Sequence, residues 1–157
     1  MKLKLITLGK TVEKYLKEGI GIYTGRLGHY ASFEMVELPD LKQTSSLSEA
    51  QIKEREGEMI LKTVRPSDYL ILLDERGKML SSKELARDLE QKSAHLSRDV
   101  VFVIGGPYGF SDAVYERCDG KLSLSRMTFS HQMVRLLFVE QLYRAFTIIK
   151  GEPYHHE

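Results

Sequence analysis

The chain has 157 residues, 42% of them hydrophobic, and 23 Lys and Arg against 22 Asp and Glu give a formal net charge of +1. That length suits one domain over 1–157 with a full core, and the charge balance excludes a protein that holds nucleic acid by bulk charge alone. The single cysteine, Cys118, excludes an internal disulfide, and with no Cys/His ligand pattern around it the residue reads as packing.

Met1-Lys2-Leu3-Lys4-Leu5 alternates charged and apolar residues as a strand does, and the first strand runs from Leu3 to Gly9. It lacks the continuous apolar core of a signal peptide, and no run in the chain is long enough to span a bilayer, so a cytoplasmic protein without a membrane partner is expected. Val12, Tyr15, Leu16, Ile20, Tyr23, Leu27 and Tyr30 then recur at helical spacing. Phe33 to Leu38 alternates as a second strand and stops at Pro39, and a polar loop covers 39–47. Ser48 with Gln51 forms a capping box for a helix that reaches Val64 and ends at Pro66.

The continuous apolar run Tyr69 to Asp74 reads as a third, buried strand, closed by the charged turn 74–78. Ser81 and Glu84 offer a second capping box, ahead of an amphipathic helix carrying Leu85, Leu89 and Leu96. A fourth strand over 100–105, a short helix near 111–118 and a brief strand at Leu122–Leu124 follow. The last helix, His131 to Lys150, is apolar almost all round, which predicts burial on more than one side. In so small a protein, that favours a homodimer interface. Alternating strands and helices predict an α/β fold with a largely parallel sheet.

The fourth strand ends on Gly105-Gly106-Pro107-Tyr108-Gly109. In a parallel sheet ligands bind at strand carboxyl ends, and glycines admit a ligand close to the main chain. The spacing matches neither the G-x-G-x-x-G dinucleotide loop nor a P-loop. A second cluster, Gly19-Ile20-Gly21 through Gly25, follows helix-like residues and is not a cofactor loop.

Val103 to Gly109, then Leu122-Ser123-Leu124-Ser125-Arg126-Met127-Thr128-Phe129-Ser130-His131, then Arg135 to Tyr143 and the ending Pro153-Tyr154-His155-His156 together resemble the SPOUT-class ribosomal RNA large-subunit methyltransferase H family. The resemblance runs from Leu8-Gly9-Lys10 through Leu73-Asp74 to the tail. It implies a C-terminal trefoil knot, a homodimer whose substrate site is completed at the subunit interface, and methylation of pseudouridine N3 in large-subunit ribosomal RNA from S-adenosylmethionine. The RNA is met naked, in the subunit or in the assembled ribosome. A non-enzymatic assembly factor and a transfer RNA methyltransferase of the same fold are the competing readings.

Carried over by position, the resemblance assigns cofactor contacts to Leu73, Gly105, Leu124, Ser125, Arg126, Met127, Thr128 and Phe129. No metal is called for, since methyl transfer needs alignment and removal of one proton. His155 and Arg135 lead as catalytic or substrate-orienting residues, ahead of His131, Tyr154, Arg144 and Glu140. Ser130 stands where the family commonly has proline, which predicts a looser entry to the last helix. His156 stands where Lys or Arg is common, lowering the tail's charge.

Overall fold

The computed structural model describes residues 1–156; Glu157 lies outside them. Strands β1 (Lys2–Leu8), β2 (Ser32–Leu38), β3 (Tyr69–Met79), β4 (Val100–Ile104) and β5 (Gly120–Ser123) form one sheet. Their order is β2-β1-β4-β3-β5, and every neighbouring pair is parallel. The helices are α1 (Lys14–Leu27), α2 (Glu49–Thr63), α3 (Ser82–His95), α4 (Asp112–Arg117) and α5 (Met133–Ile149). The α/β class and the parallel sheet flanked by helices match the pattern reading.

Alternation along each strand sorts its apolar residues between two layers. Leu3, Leu5, Ile71, Val100, Phe102 and Ile104 pack with α1, α3 and α5, while Ile6, Leu70, Leu72, Val101 and Val103 pack with Ile60 of α2 and Val114 of α4. Helices therefore cover both faces, which is why all five residues of β4 are buried and the run shows no polar alternation. Both capping boxes form: Ser48 Oγ accepts from Gln51 N at 3.1 Å and Ser81 Oγ from Glu84 N at 3.1 Å. Each is returned by the Gln51 or Glu84 side chain accepting from the cap residue's own N–H.

Three local expectations are corrected. The segment 74–78 is not a turn after a finished strand: β3 continues to Met79, and its pairing jumps from Leu73–Leu122 to Lys78–Leu122, so residues 74–77 bulge. Gly77 permits this return, because a Cβ there would lie 2.7 Å from both Leu122 N and Lys121 C, backbone atoms that no rotamer change can move. Helix α1 starts at Lys14, leaving Val12 and Tyr15 exposed rather than on a buried stripe. Helix α5 starts at Met133, and its entry is not loose, since Ser130 Oγ accepts from Met133 N at 3.0 Å.

Burial within the protomer also bears on why α5 is so apolar. It lies between α1 and α3 over the sheet, so Phe138, Val139, Leu142 and Ala145 are buried within one protomer and Leu136, Phe146 and Ile149 pack against that core. Leu137 is the exposed large apolar side chain on it. The helix is thus buried on more than one side, as its composition predicts, with Val134, Leu136, Phe146 and Ile149 partly buried.

Candidate active site

The bulged middle of β3 and the carboxyl ends of β4 and β5 meet at a cavity of about 530 Å³, within the size range of small-molecule and cofactor sites. Leu73 to Arg76 line it from β3, Gly105 to Phe110 from the loop after β4, and Leu124, Ser125, Met127, Thr128 and Phe129 from the segment after β5. Tyr115, His131 and Val134 complete the wall. Seven of the eight cofactor candidates are thus brought together; Arg126 is exposed and stands outside the lining. Met127 and Tyr108 lie on the rim, 76% and 43% exposed.

The segment after β5 is shaped by serines. Buried Ser123 donates its hydroxyl to Ser125 O at 2.9 Å, and Ser125 Oγ accepts from Met127 N at 2.9 Å, folding the chain back over the cavity. In the loop after β4, Gly109 has φ +86° and returns its N–H to Gly106 O at 3.2 Å. Gly105 does not leave its missing side chain's space to a ligand: a Cβ there would meet the Phe110 ring at 3.0 Å, so the glycine admits that ring. Its main chain still borders the cavity. A Cβ on Gly106 would lie 2.5 Å from Glu56 Oε2.

The anion of the lining is Asp74, with Glu75 beside it. The Tyr115 hydroxyl donates to one Asp74 oxygen, and Arg76 N donates to Oδ1 at 2.9 Å. Burial first, and the bond to Asp74 second, push the Tyr115 hydroxyl above its ordinary pKa, so it remains a donor at neutral pH.

Arg135 is not at the cavity. Its side chain is 1% exposed, and its guanidinium donates to Leu8 O at 2.8 Å, Thr11 Oγ1 at 3.0 Å and Glu37 Oε2 at 3.2 Å. Burial lowers its pKa, opposed by Glu37 and Asp40. Next to it, Gln132 accepts from Val12 N at 2.8 Å and donates to Lys10 O at 3.1 Å. Together the two side chains fasten the loop after β1 to the start of α5. The spacing of Arg135 with Phe138, Val139 and Leu142 puts it on the buried face of α5, a signal present in the sequence.

The tail forms a separate cluster at the other end of α5. Arg144 donates to Glu140 Oε1 at 2.9 Å, lies 4.7 Å from the Tyr154 ring centroid, and contacts His155 Nδ1 at 3.0 Å. Arginine has donors only, so Nδ1 accepts and the ring hydrogen of neutral His155 sits on Nε2. Burial first, with a hydrogen bond to Tyr23 and the nearby Glu140 charge, pushes the Tyr154 hydroxyl up to about 12. No residue of this cluster lines the cavity. Val134 lines it, and Arg144 lies ten residues further along the helix, roughly 15 Å at the α-helical rise.

With that geometry in place, four similarities are informative. Residues 1–155 match the family model described as "Predicted SPOUT methyltransferase". A Parabacteroides distasonis protein named ribosomal RNA large subunit methyltransferase H is 56% identical over 157 residues, covering 100% of both chains. Proteins of the same name from Christiangramia forsetii and Flavobacterium psychrophilum are each 55% identical, over 156 and 157 residues, covering 99% and 100% of both chains. The match extends over the β3 bulge, the β4 end, the segment after β5 and the tail alike, and the chain belongs to the ribosomal RNA large subunit methyltransferase H family of SPOUT methyltransferases.

Proposed function

We propose that this protein methylates N3 of a pseudouridine in large-subunit ribosomal RNA, using S-adenosylmethionine, in the cytoplasm. The observation that carries the reading is the cavity itself: Leu73, Gly105 and five residues of the 124–129 segment converge on it at the β3 bulge and the carboxyl ends of β4 and β5. Its walls suit the cofactor. Leu73, Leu122, Leu124 and Phe129 supply apolar surface for a flat base, and Asp74, Ser125 and Thr128 supply polar groups around it. When bound, S-adenosylmethionine supplies an electrophilic methyl group. The chain's own residues have to align the acceptor nitrogen, exclude water and take one proton.

In this reading 1–157 acts as one domain and as a homodimer. Support for the dimer comes from the separation along α5, which keeps the tail's Arg144, Tyr154 and His155 away from the cavity of their own protomer. A second copy presenting its tail completes the site. Exposed Val12, Tyr15 and Ile22 offer apolar surface for such an assembly. The family's trefoil knot belongs to the same reading. Within the composite site His155 is the candidate to handle the N3 proton and Tyr154 to stack a base. Arg135 is a positioning residue that sets the entry of α5.

Mapping modified nucleotides by mass spectrometry in ribosomal RNA from a deletion strain, with and without the restored gene, tests this reading. A methylated pseudouridine should vanish from the large-subunit RNA and return on complementation. A loss confined to transfer RNA, or no lost modification beside an assembly defect, refutes it.

A further inference from the structure

We propose that Asp74 is a cofactor ligand, its carboxylate accepting hydrogen bonds from the ribose hydroxyls of the bound adenosine group. The inference rests on the cofactor reading above. The Asp74 side chain is only 6% exposed yet lines the cavity. Its ion-pair partner, Arg76, is 80% exposed with Nε 4.0 Å away, so among the described residues no buried cation pairs with it. A nearly buried carboxylate is stable only when its oxygens are well supplied with donors.

Two donors are present, the Tyr115 hydroxyl and Arg76 N. A carboxylate offers about four lone-pair sites, leaving acceptor capacity toward the cavity. Asp74 directly follows Leu73, so a ligand resting on Leu73 at the start of the β3 bulge meets this carboxylate next. A vicinal diol presents two O–H donors at a spacing a carboxylate can accept together. An acidic residue reading ribose hydroxyls is how dinucleotide-binding parallel sheets solve the same problem. Tyr115 acts as the positioning residue, fixing the carboxylate from behind.

The test is calorimetric binding to the intact protein. Wild type, Asp74→Ala, Asp74→Asn and Tyr115→Phe are titrated with S-adenosylmethionine, S-adenosylhomocysteine and the 2′-deoxy and 3′-deoxy forms of the latter, with thermal melts confirming folding. Asp74→Ala should weaken both full ligands alike, by about tenfold to a hundredfold, the size of charge-assisted hydrogen bonds. Tyr115→Phe should lose less. Wild type should penalise the deoxy ligands, and Asp74→Ala should not. Three results overturn the proposal: unchanged affinity in Asp74→Ala, deoxy ligands bound by wild type as well as the parents, or a loss confined to S-adenosylmethionine. That last result means the carboxylate reads the sulfonium charge instead. Failure of wild type to bind any of these ligands overturns the cofactor reading itself and is distinguishable from all three.

Discussion

Gly77→Ala adds a single methyl group, and the structure places it against backbone. The new Cβ would lie 2.7 Å from Leu122 N and Lys121 C and 2.9 Å from Leu122 C, where ordinary contact begins at 3.4 Å. Opening that gap moves β5 away from β3 by several tenths of an ångström, or distorts the 74–77 bulge by as much. Overpacking of this kind costs about 1–3 kcal/mol. The gain of up to about 1 kcal/mol from a less flexible unfolded chain offsets part of that. At about 2–4 °C per kcal/mol for a chain of this size, the melting temperature should fall by several degrees. Cofactor affinity should fall too, on the order of tenfold, because the 124–129 wall hangs directly from β5 and binding geometry tolerates little displacement. Gly120→Ala is the matched control: it lies in β5, the strand that Gly77 of β3 faces, its Cβ would meet nothing within 4 Å, and its φ is not in the left-handed region. Scanning calorimetry and ligand titration of both variants decide the matter. A Gly77→Ala protein that melts and binds as wild type does would show that the β3–β5 contact is not the rigid element that sets the cavity wall.

Other outcomes follow from the same geometry. Arg135→Met should destabilise the fold by about 1–3 kcal/mol in urea titration, because Leu8 O loses its donor, while any Arg135 contact with substrate would instead show as lost activity in a fully stable protein. Burial, with the Asp40 charge next, raises the Glu56 carboxyl above its ordinary pKa, and its Oε1 is buried without a partner. The folded state therefore binds that proton more tightly than the unfolded chain, so stability falls as pH rises from about 4.3 through the raised pKa. Glu56→Gln should accordingly raise the urea midpoint at pH 7 and lose its advantage below about pH 4. Removing Tyr154 to Glu157 should leave S-adenosylmethionine affinity within a few-fold while single-turnover methylation of ribosomes falls at least about a hundredfold. His155→Ala reproduces most of that loss if the imidazole handles the proton, and little of it if Tyr154 stacking dominates.

The elements were legible where the local chemistry is self-contained. The capping boxes at Ser48 and Ser81 and the apolar runs of β3 and β4 depend on residues close in sequence, and they form where the pattern puts them. What the pattern could not carry was tertiary. The 74–78 segment reads as a turn because charges and a glycine usually make one, whereas its return to β5 is allowed by an atom missing from Gly77 beside a strand more than forty residues away. Gly105 borders the cavity, as the strand-end glycines predict, but the neighbour that needs the space of its missing side chain is Phe110. For Arg135, the motif suggested chemistry while its helical phase with Phe138 and Leu142 indicated burial, and the phase was the sounder guide.

The tail presents a constraint that motif matching alone does not raise. While Arg144 donates to Nδ1, neutral His155 carries its hydrogen on Nε2, so the ring can offer a proton but has no lone pair left to take one. Accepting the N3 proton therefore requires His155 to leave Arg144. Glu140 bears on that step, because its bond to Arg144 at 2.9 Å keeps the guanidinium directed along α5 after the imidazole has gone. The Tyr154 hydroxyl, pushed up to about 12, cannot substitute as a base at neutral pH. In the proposed dimer, a tail that is to serve the partner's cavity with His155 as its base therefore has to give up the Arg144–His155 contact seen within the protomer.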